Sequence, residues 1–465
     1  MNIPRFLSIS IFVSLALHLV GFFFVFMTKG LEPFLYGDAV GYVSLATNMA
    51  HGLGFLRESG SGLVLEVFRT PGLPLLLMPF VSSGTLLSLY LLLQTIVASL
   101  LLPYLTWWIG MRLFNARVAL IASMLMAFEP MLIFFSWFVL TEIPFLICSL
   151  LGFATLIRAL EFRINDRSFS TFAIAASFFS GFAVLIRPGN LPLFVFAGAL
   201  LLFVNMRSVL RFKQLAIIAC LFVLVLTPWF YRNYQVTGVF SLSGAGWRNV
   251  YTDYLPSIRQ IKNGTDFSYE RKKIRTQDAA KLGLTSEDLN NPKYAPLLRE
   301  VSLKEIRENL SIVAKLETIL LLNFFLNDGY YYQASRLGFM ERLPKHISPT
   351  REFLDRGFSA LPVIWDQLVG QRFVPLVGHV VTGVIFFFAL LGTILSALFR
   401  RYYIGMLLAL LIALSAVMTS VLGFGVEARL RISIMPLLFL LSAVGIEFCY
   451  SKIRYYYDRR FIKLR

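Results

Sequence analysis

The sequence is poor in charge and in residues that cross-link or chelate. Asp, Glu, Lys and Arg make up 15% of its 465 residues, against about 25% in a typical soluble domain. Its three cysteines, Cys148, Cys220 and Cys449, all fall in apolar runs. Neither a disulfide framework nor a cysteine metal site is therefore indicated. The four histidines show no metal-ligand spacing. These absences exclude a secreted scaffold held by disulfides.

Several catalytic signatures are missing as well. The chain has no Walker A motif, no H-E-x-x-H and no G-x-S-x-G, so P-loop ATP hydrolysis is not expected. The large polar segments 29–85 and 232–375 contain no D-x-D or E-x-D triplet, so a divalent-metal site of that kind is not indicated. We expect no cofactor, and the sequence leaves dependence on a divalent metal undecided.

Long apolar runs dominate what is present. The apolar fraction is 57% and the mean hydropathy is +0.71, which is typical of a polytopic membrane protein and rules out a soluble enzyme or a disordered chain. We predict an all-α protein with ten transmembrane helices, at 7–28, 86–111, 118–135, 138–158, 169–187, 190–206, 214–231, 376–398, 404–422 and 432–450.

The basic residues fix a predicted topology. The formal net charge is +17, and Lys and Arg concentrate in the tail and in the short connections after the second, fourth, sixth and eighth spans. The positive-inside rule then places both termini in the cytoplasm and the odd-numbered connections outside. The first span lacks a cleavage site, so we expect an uncleaved anchor. Topology accounts for the basic charge, and no nucleic-acid partner is expected.

This topology divides the chain into three parts. Residues 1–231 form an N-terminal transmembrane module whose first periplasmic loop is 29–85, residues 232–375 form a periplasmic domain, and residues 376–465 hold the C-terminal transmembrane helices and a basic cytoplasmic tail. Apolar residues recur at helical spacing over 303–319. They predict a helix that continues into an apolar run and docks on the membrane or the bundle.

The first loop opens with the most informative residues. Asp38 precedes a short amphipathic helix that carries Tyr42, and glycines end this helix at 52 and 54. Asp38 has two compatible interpretations. It is an N-cap, a position that Asp favours, or a carboxylate held at the membrane surface that acts as a general base on an acceptor hydroxyl or amine.

Arginines also gather on the predicted outer face, where the positive-inside rule would not place them. Each alone is compatible with an interfacial anchor, but together they indicate a bound anion, and a lipid phosphate or pyrophosphate fits best. Two intramembrane carboxylates, Glu129 and Glu142, are costly to bury, and we expect one of them to pair with an arginine. The outer arginines are Arg69, Arg187, Arg232, Arg429 and Arg431.

Taken in order, these motifs resemble the GT-C superfamily, in particular the bacterial branch related to protein O-mannosyltransferases and the lipid A aminoarabinose transferase. The shared features are the Asp that opens the first loop, the Tyr and small residues after it, G-x-G-F and R-x-P-G-x-P. Further matches are LIRP at 185–188, PWFYRNY at 228–234, GVF at 238–240 and EARLRISIMPLLFLLSAVGIE at 427–447. The aminoarabinose transferase has a basic residue before the tyrosine, whereas this chain has Gly41.

The resemblance implies a GT-C-like bundle of about ten transmembrane helices with a periplasmic α-rich segment, in the inner (cell) membrane of a bacterium. It implies an inverting glycosyltransferase that moves a sugar from a polyprenyl-phosphate donor to a lipid, glycan or protein acceptor on the periplasmic face. Asp38 would be the catalytic base and Glu66 a second carboxylate. The donor phosphate or sugar would be bound by Tyr42, Arg69, Arg187, Arg232 and Arg429.

Two other functions remain open at the level of sequence. An O-antigen polymerase or ligase would use a pyrophosphate-linked oligosaccharide, and an Asp followed by an amphipathic helix argues against it. A lipid or solute transporter would favour inverted repeats and broken helices around a midplane site, and neither is visible in the sequence.

Overall fold

The structure is a computed structural model that describes residues 4–59, 62–204, 208–327, 329–339, 357–360, 362, 365, 373–399, 404–425 and 428–462. Within these ranges regular structure is almost entirely helical, which confirms the predicted all-α membrane class. The first part of the chain contains helices α1 (Arg5–Lys29), α2 (Asp38–Ala50), α3 (Gly72–Leu77), α4 (Gly84–Leu113), α5 (Ala116–Phe128), α6 (Pro130–Ser136), α7 (Glu142–Ala159), α8 (Arg167–Ile186), α9 (Leu191–Val204) and α10 (Val209–Thr237).

Short helices follow, and long ones close the chain. Two π-helical turns, Val250–Tyr254 and Ile274–Asp278, interrupt the middle segment. The remaining helices are α11 (Ala245–Asn249), α12 (Leu255–Asn263), α13 (Phe267–Lys273), α14 (Ala279–Lys281), α15 (Ala295–Glu308), α16 (Leu310–Leu326), α17 (Tyr330–Arg336), α18 (Phe373–Leu398), α19 (Ile404–Thr419) and α20 (Met435–Ile462). Two longer 3₁₀ segments, Ser420–Gly425 and Ala428–Ile434, join α19 to α20.

The predicted spans are largely matched. Eight of the described helices are long and apolar enough to cross a membrane, and there are up to ten if two bent helix pairs each count as one span. One bent pair is α5 with α6, at 53°, where a single span was predicted over 118–135. The span predicted over 190–206 corresponds to α9, and positions 205–206 of that prediction lie outside the described residues.

The second bent pair corrects the prediction for the middle segment. The helix predicted over 303–319 breaks at Asn309, and α15 and α16 meet there at 99°. The Asn309 side chain donates to the carbonyl of Glu305 at 2.7 Å, so it satisfies a carbonyl of the last turn of α15. Only α16 carries the apolar run.

An unwound segment explains a late helix start. The helix predicted over 138–158 begins at Glu142 in the structure. Residues 137–141, which precede it, are buried but not helical. Backbone groups inside an apolar bundle need partners. Gln94 on α4 supplies them, since its Nε2 donates to the carbonyls of Ser136 at 2.8 Å and Phe138 at 3.0 Å.

Close backbone approach holds other helices together. A Cβ added at Gly392 on α18 would overlap the Leu441 carbonyl of α20, and one at Gly445 on α20 would overlap the Phe388 carbonyl of α18. The hydrophobic effect contributes little to helix association within lipid. Small residues that let two helices pack closely therefore stabilise the pair.

A hairpin that the sequence did not predict follows α2. Strands β1 (Leu56–Ser59) and β2 (Gly62–Leu65) pair antiparallel, with Leu56 opposite Leu65. The chain then enters α3 at Gly72, where an added Cβ would lie 2.6 Å from the Ile186 backbone nitrogen. This contact holds the loop before α3 against the end of α8, and the candidate site forms there.

We expect Gly72→Ala to lower the unfolding temperature of the protein in detergent or nanodiscs by several degrees, because backbone atoms of α8 would have to move. The matched control is Gly383→Ala on α18, since no described atom lies within 4 Å of a Cβ added there. Equal unfolding temperatures for Gly72→Ala and the wild-type protein would contradict the close approach.

Candidate active site

Asp38 lies at the centre of a group of charged side chains. It is the first residue of α2, preceded by Gly37 at φ 58°, and it makes no capping hydrogen bond. The interpretation of Asp38 as a helix cap is therefore wrong. Its carboxylate is half exposed, with Oδ1 3.5 Å from Nη2 of Arg69 and Oδ2 3.7 Å from Nη1 of Arg429. A carboxylate that bridges two guanidiniums remains accessible to a substrate.

Glu66 holds Arg69 in place. The Glu66 side chain is fully buried, and its Oε1 accepts hydrogen bonds from the backbone N–H groups of Phe68 at 2.6 Å and Arg69 at 3.1 Å. Its Oε2 lies 3.7 Å from Nη1 of Arg69 and 3.9 Å from Nε of Arg57. Glu66 is thus turned into the loop, where it orients Arg69.

Arg69 also lies against α2. A Cβ added at Gly41 would be 3.0 Å from the Arg69 Cζ, so a larger residue at position 41 would displace the guanidinium. The guanidinium lies 5.4 Å from the centre of the Tyr42 ring. Burial, followed by the nearby Asp38 carboxylate, raises the pKa of Tyr42 to about 12. Tyr42 is therefore a neutral O–H donor at ordinary pH.

A second ion pair faces the first. Glu142 at the start of α7 lies 3.0 Å (Oε1) from Nη1 of Arg187 at the end of α8. Both side chains are largely buried, at 4% and 15% exposure. Glu142 thus pairs with an arginine, as was expected of one of the two carboxylates, and Glu129 accepts a hydrogen bond from the Tyr330 hydroxyl at 2.8 Å.

These groups surround a cavity of about 270 Å³, which we call the charged cavity. Three arginines and two carboxylates among its described lining residues leave one net positive charge. Asn190, Ser243 and Asn249 add polar groups to the wall. The charged lining residues are Asp38, Arg69, Glu142, Arg187 and Arg429.

A second cavity adjoins the first and is apolar. It has a volume of about 490 Å³ and lies among α7, α8, α9, α10, α19 and the start of α20. Leu193 and Ser433 line both cavities. The charged cavity therefore adjoins the apolar cavity, and this arrangement suits an amphiphile with an anionic head.

The structure does not bring every predicted residue to the cavity. Arg232 lies outside the lining, where it donates to the Glu66 carbonyl at 2.6 Å and stacks over Trp229 at 4.9 Å. Arg431 is buried and donates to the carbonyls of Phe324 at 2.7 Å and Phe325 at 3.1 Å. Arg232 supports the loop and Arg431 the end of α16. Glu66 also lies outside the cavity lining.

Some lining residues were not predicted. Asn190 follows the Arg187-Pro188-Gly189 turn, so its place beside Arg187 could have been read from the sequence. Ser243 and Asn249 come from the segment after α10. That segment reads as ordinary polar sequence, and no local pattern marks its approach to Asp38.

Possible metal ligands do not cluster in the described ranges. No group of three or more His, Cys, Asp or Glu residues in them could hold a metal ion. The expectation of no cofactor stays a prediction.

Comparison with known proteins returned structures only. No family model and no curated protein matches the chain. An oligosaccharyltransferase from Archaeoglobus fulgidus, tethered with an acceptor peptide containing the NVT sequon, matches with a TM-score of 0.49 and 16% identity over 96% of this chain and 50% of that one. The oligosaccharyltransferase AglB from the same organism, in complex with an inhibitory peptide and a dolichol-phosphate, matches with a TM-score of 0.46 and 14% identity over 97% and 52%.

A further match is ArnT from Cupriavidus metallidurans in the apo state, with a TM-score of 0.35 and 13% identity over 92% of this chain and 77% of that one. The chain spans about half the length of the oligosaccharyltransferases. Each of these three TM-scores is below 0.5, and the likeness assigns no role to any residue of this chain.

We expect Glu142→Gln to lower the free energy of unfolding by about 3 kcal/mol, because it leaves the Arg187 guanidinium buried without its partner. The double variant Glu142→Gln/Arg187→Gln should lose less than the sum of the two single variants. Denaturant titration in mixed micelles measures all three. Strictly additive losses would show that the two side chains do not interact.

Proposed function

We propose that this chain is an inverting glycosyltransferase of the inner membrane of a bacterium. It moves a sugar from a polyprenyl-phosphate donor to a lipid, glycan or protein acceptor on the periplasmic face. The observation that carries the proposal is the pair of adjoining cavities, one charged around Asp38 and one apolar, with Leu193 and Ser433 in both walls.

The two cavities match the two halves of such a donor. A prenyl chain is hydrocarbon and suits the apolar cavity, where its burial is worth about 25 cal/mol per Å². A sugar phosphodiester carries one negative charge, which balances the one net positive charge of the charged cavity. Guanidiniums bind phosphate through paired N–H donors, and Arg187, Arg69 and Arg429 are placed to do so.

Phosphate binding also prepares the base. In the structure Arg69 and Arg429 both lie near the Asp38 carboxylate. A bound phosphate competes for the same guanidiniums, which frees the Asp38 oxygens to accept a proton from the acceptor. The two guanidiniums would exchange the Asp38 carboxylate for the phosphate, and Asp38 itself is half exposed. No charge is then buried without a partner, so the exchange avoids a large desolvation cost.

The reaction then follows from these positions. The acceptor hydroxyl or amine gives its proton to Asp38 while its oxygen or nitrogen bonds to the anomeric carbon. The bond from that carbon to the phosphate oxygen breaks, and the electron pair leaves with the lipid phosphate. Its added negative charge is stabilised by the arginines. Tyr42 donates a hydrogen bond to the sugar or the phosphate.

Donor turnover tests the proposal. Purified protein is mixed with a panel of polyprenyl-phosphate sugars, with and without an envelope extract as acceptor, and free polyprenyl phosphate is measured by mass spectrometry. We expect turnover by the wild type and a loss of about 100-fold or more in Asp38→Asn, because the amide cannot take the proton. The control Glu58→Gln removes an exposed carboxylate of the hairpin and should be unaffected.

Each contrary outcome has a distinct meaning. Equal turnover in Asp38→Asn would remove Asp38 as the base. Consumption of pyrophosphate-linked oligosaccharide, with no turnover of the monophosphate donors, would replace the proposal with an O-antigen polymerase or ligase. Movement of intact donor across the bilayer without release of polyprenyl phosphate would indicate a transporter.

The apolar cavity gives a second test. No described atom lies within 4 Å of a Cβ added at Gly198, which lines this cavity. Gly198→Phe should therefore fill space meant for prenyl carbons and raise the KM of a long-chain donor about tenfold, while a short-chain donor changes little. The control is Gly383→Phe, which adds the same bulk on α18. A uniform effect on both donor lengths would contradict the placement of the chain.

A further inference from the structure

A second group of arginines surrounds one carboxylate near the active site. Asp253 lies in the π-helical turn Val250–Tyr254 and its side chain is only 7% exposed. Its Oδ1 is 2.5 Å from Nη2 of Arg271 and 3.5 Å from Nη2 of Arg275, and its Oδ2 is 3.5 Å from Nη1 of Arg248. Three cations therefore share one anion.

The surplus charge has no ion-pair partner in the described part of the chain other than Asp253. Asp278, a neighbouring carboxylate, is already engaged by Arg259 at 2.5 Å and Lys281 at 3.0 Å. The Glu270 carboxylate is buried and turned toward Thr265, whose hydroxyl donates to it at 2.8 Å. Among the described residues, the three guanidiniums and Asp253 thus carry two net positive charges.

Hydrogen-bond donors are in excess as well. Three guanidiniums offer about fifteen N–H groups, whereas one carboxylate accepts about four hydrogen bonds. In the described part of the chain, the buried Nε atoms of Arg248, Arg271 and Arg275 have no hydrogen-bond partner. Burying a polar donor without an acceptor is costly, so a ligand that supplies oxygen atoms would be stabilised here.

The electrostatics agree with the geometry. Burial, followed by the adjacent Arg275 guanidinium, lowers the pKa of Arg248 to about 10. Burial and the nearby Arg271 guanidinium also lower the pKa of Arg275. Each cation raises the cost of charging its neighbours, and a bound anion would remove that cost.

The arginine group adjoins the charged cavity. Helix α11 carries Arg248, and its residues Ala245 and Asn249 line the cavity. The Arg248 guanidinium stacks 4.8 Å from the centre of the Phe68 ring, which is also part of the cavity wall. The guanidiniums of Arg271 and Arg275 remain partly exposed, at 39% and 30%. A molecule could thus contact this group and the cavity at once.

We propose that Arg248, Arg271 and Arg275 form a second anion site, which binds a phosphate group carried by the acceptor. The acceptor assignment rests on the proposed transferase function. A phosphate monoester carries about two negative charges at neutral pH, which matches the surplus of the site. The site would hold the acceptor beside the charged cavity and orient its nucleophile toward Asp38.

Residue-resolved arginine modification tests the site without any donor. The full chain in zwitterionic nanodiscs is treated with an arginine-selective dicarbonyl reagent at increasing inorganic phosphate and constant ionic strength, and each arginine is followed by peptide mass spectrometry. We expect phosphate to slow modification of Arg271 and Arg275 with a common midpoint. Arg271→Gln should raise the midpoint at Arg275 about tenfold, the loss of one charge-assisted contact.

Lys272→Gln is the matched control, because it removes an exposed charge from the same helix and should leave the midpoint unchanged. Arg271→Lys keeps the charge and should weaken binding less than Arg271→Gln. Modification rates at Arg271 and Arg275 that do not respond to phosphate would overturn the site. Protection in nanodiscs of phosphatidylglycerol without added phosphate would assign the site to a membrane lipid and overturn the acceptor assignment.

Transfer assays test the acceptor assignment. With a saturating donor, Arg271→Gln/Arg275→Gln should raise the KM for an envelope extract about tenfold or more and leave the donor KM unchanged, and phosphatase treatment of the extract should abolish the difference. An unchanged acceptor KM would overturn the assignment. Phosphate protection in a protein that turns over no donor would remove the proposed function and the acceptor role while the anion site stands.

Discussion

The end of the bundle that carries Asp38 depends on one buried carboxylate, that of Glu66. A fully buried carboxylate is tolerated only when hydrogen bonds and opposite charge compensate it. Two backbone N–H groups, Arg57 and Arg69 do so, and Arg232 binds the Glu66 carbonyl. The loop from the hairpin to α3 is thereby fixed, and Arg69 is presented to Asp38 in one orientation.

The same principle extends across the cavity. Glu142 compensates Arg187, and Asp38 compensates Arg69 and Arg429. Each charged side chain that lines the charged cavity therefore has a partner of opposite charge before any substrate binds. The two pairs differ in exposure. The Glu142–Arg187 pair is largely buried and holds α7 to α8, whereas Asp38 is half exposed and its pairs are the ones a ligand can exchange. Of the two carboxylates that line the charged cavity, Glu142 thus stabilises the bundle, and Asp38 is the one placed to meet a ligand.

Hydropathy was enough to predict the class of fold and most of the long helices, because membrane spans are set by length and composition. It could not predict the unwound segment before Glu142 or the break at Asn309, since Gln94 and Asn309 stabilise them through specific hydrogen bonds. At the site, the motifs pointed to Asp38, Tyr42, Arg69, Arg187 and Arg429. Arg232 shares their chemistry but faces the loop, and the contacts of Asp253 join residues that no local pattern connects.

The difference in exposure between the two groups of ion pairs has a consequence for their response to ionic strength. Dissolved ions screen charges that face water, whereas they screen buried pairs much less. The Glu142 and Arg187 side chains are largely buried, and the Asp38 side chain is half exposed. Added salt should therefore weaken the contacts of Asp38 with Arg69 and Arg429 and leave the pair that holds α7 to α8 in place.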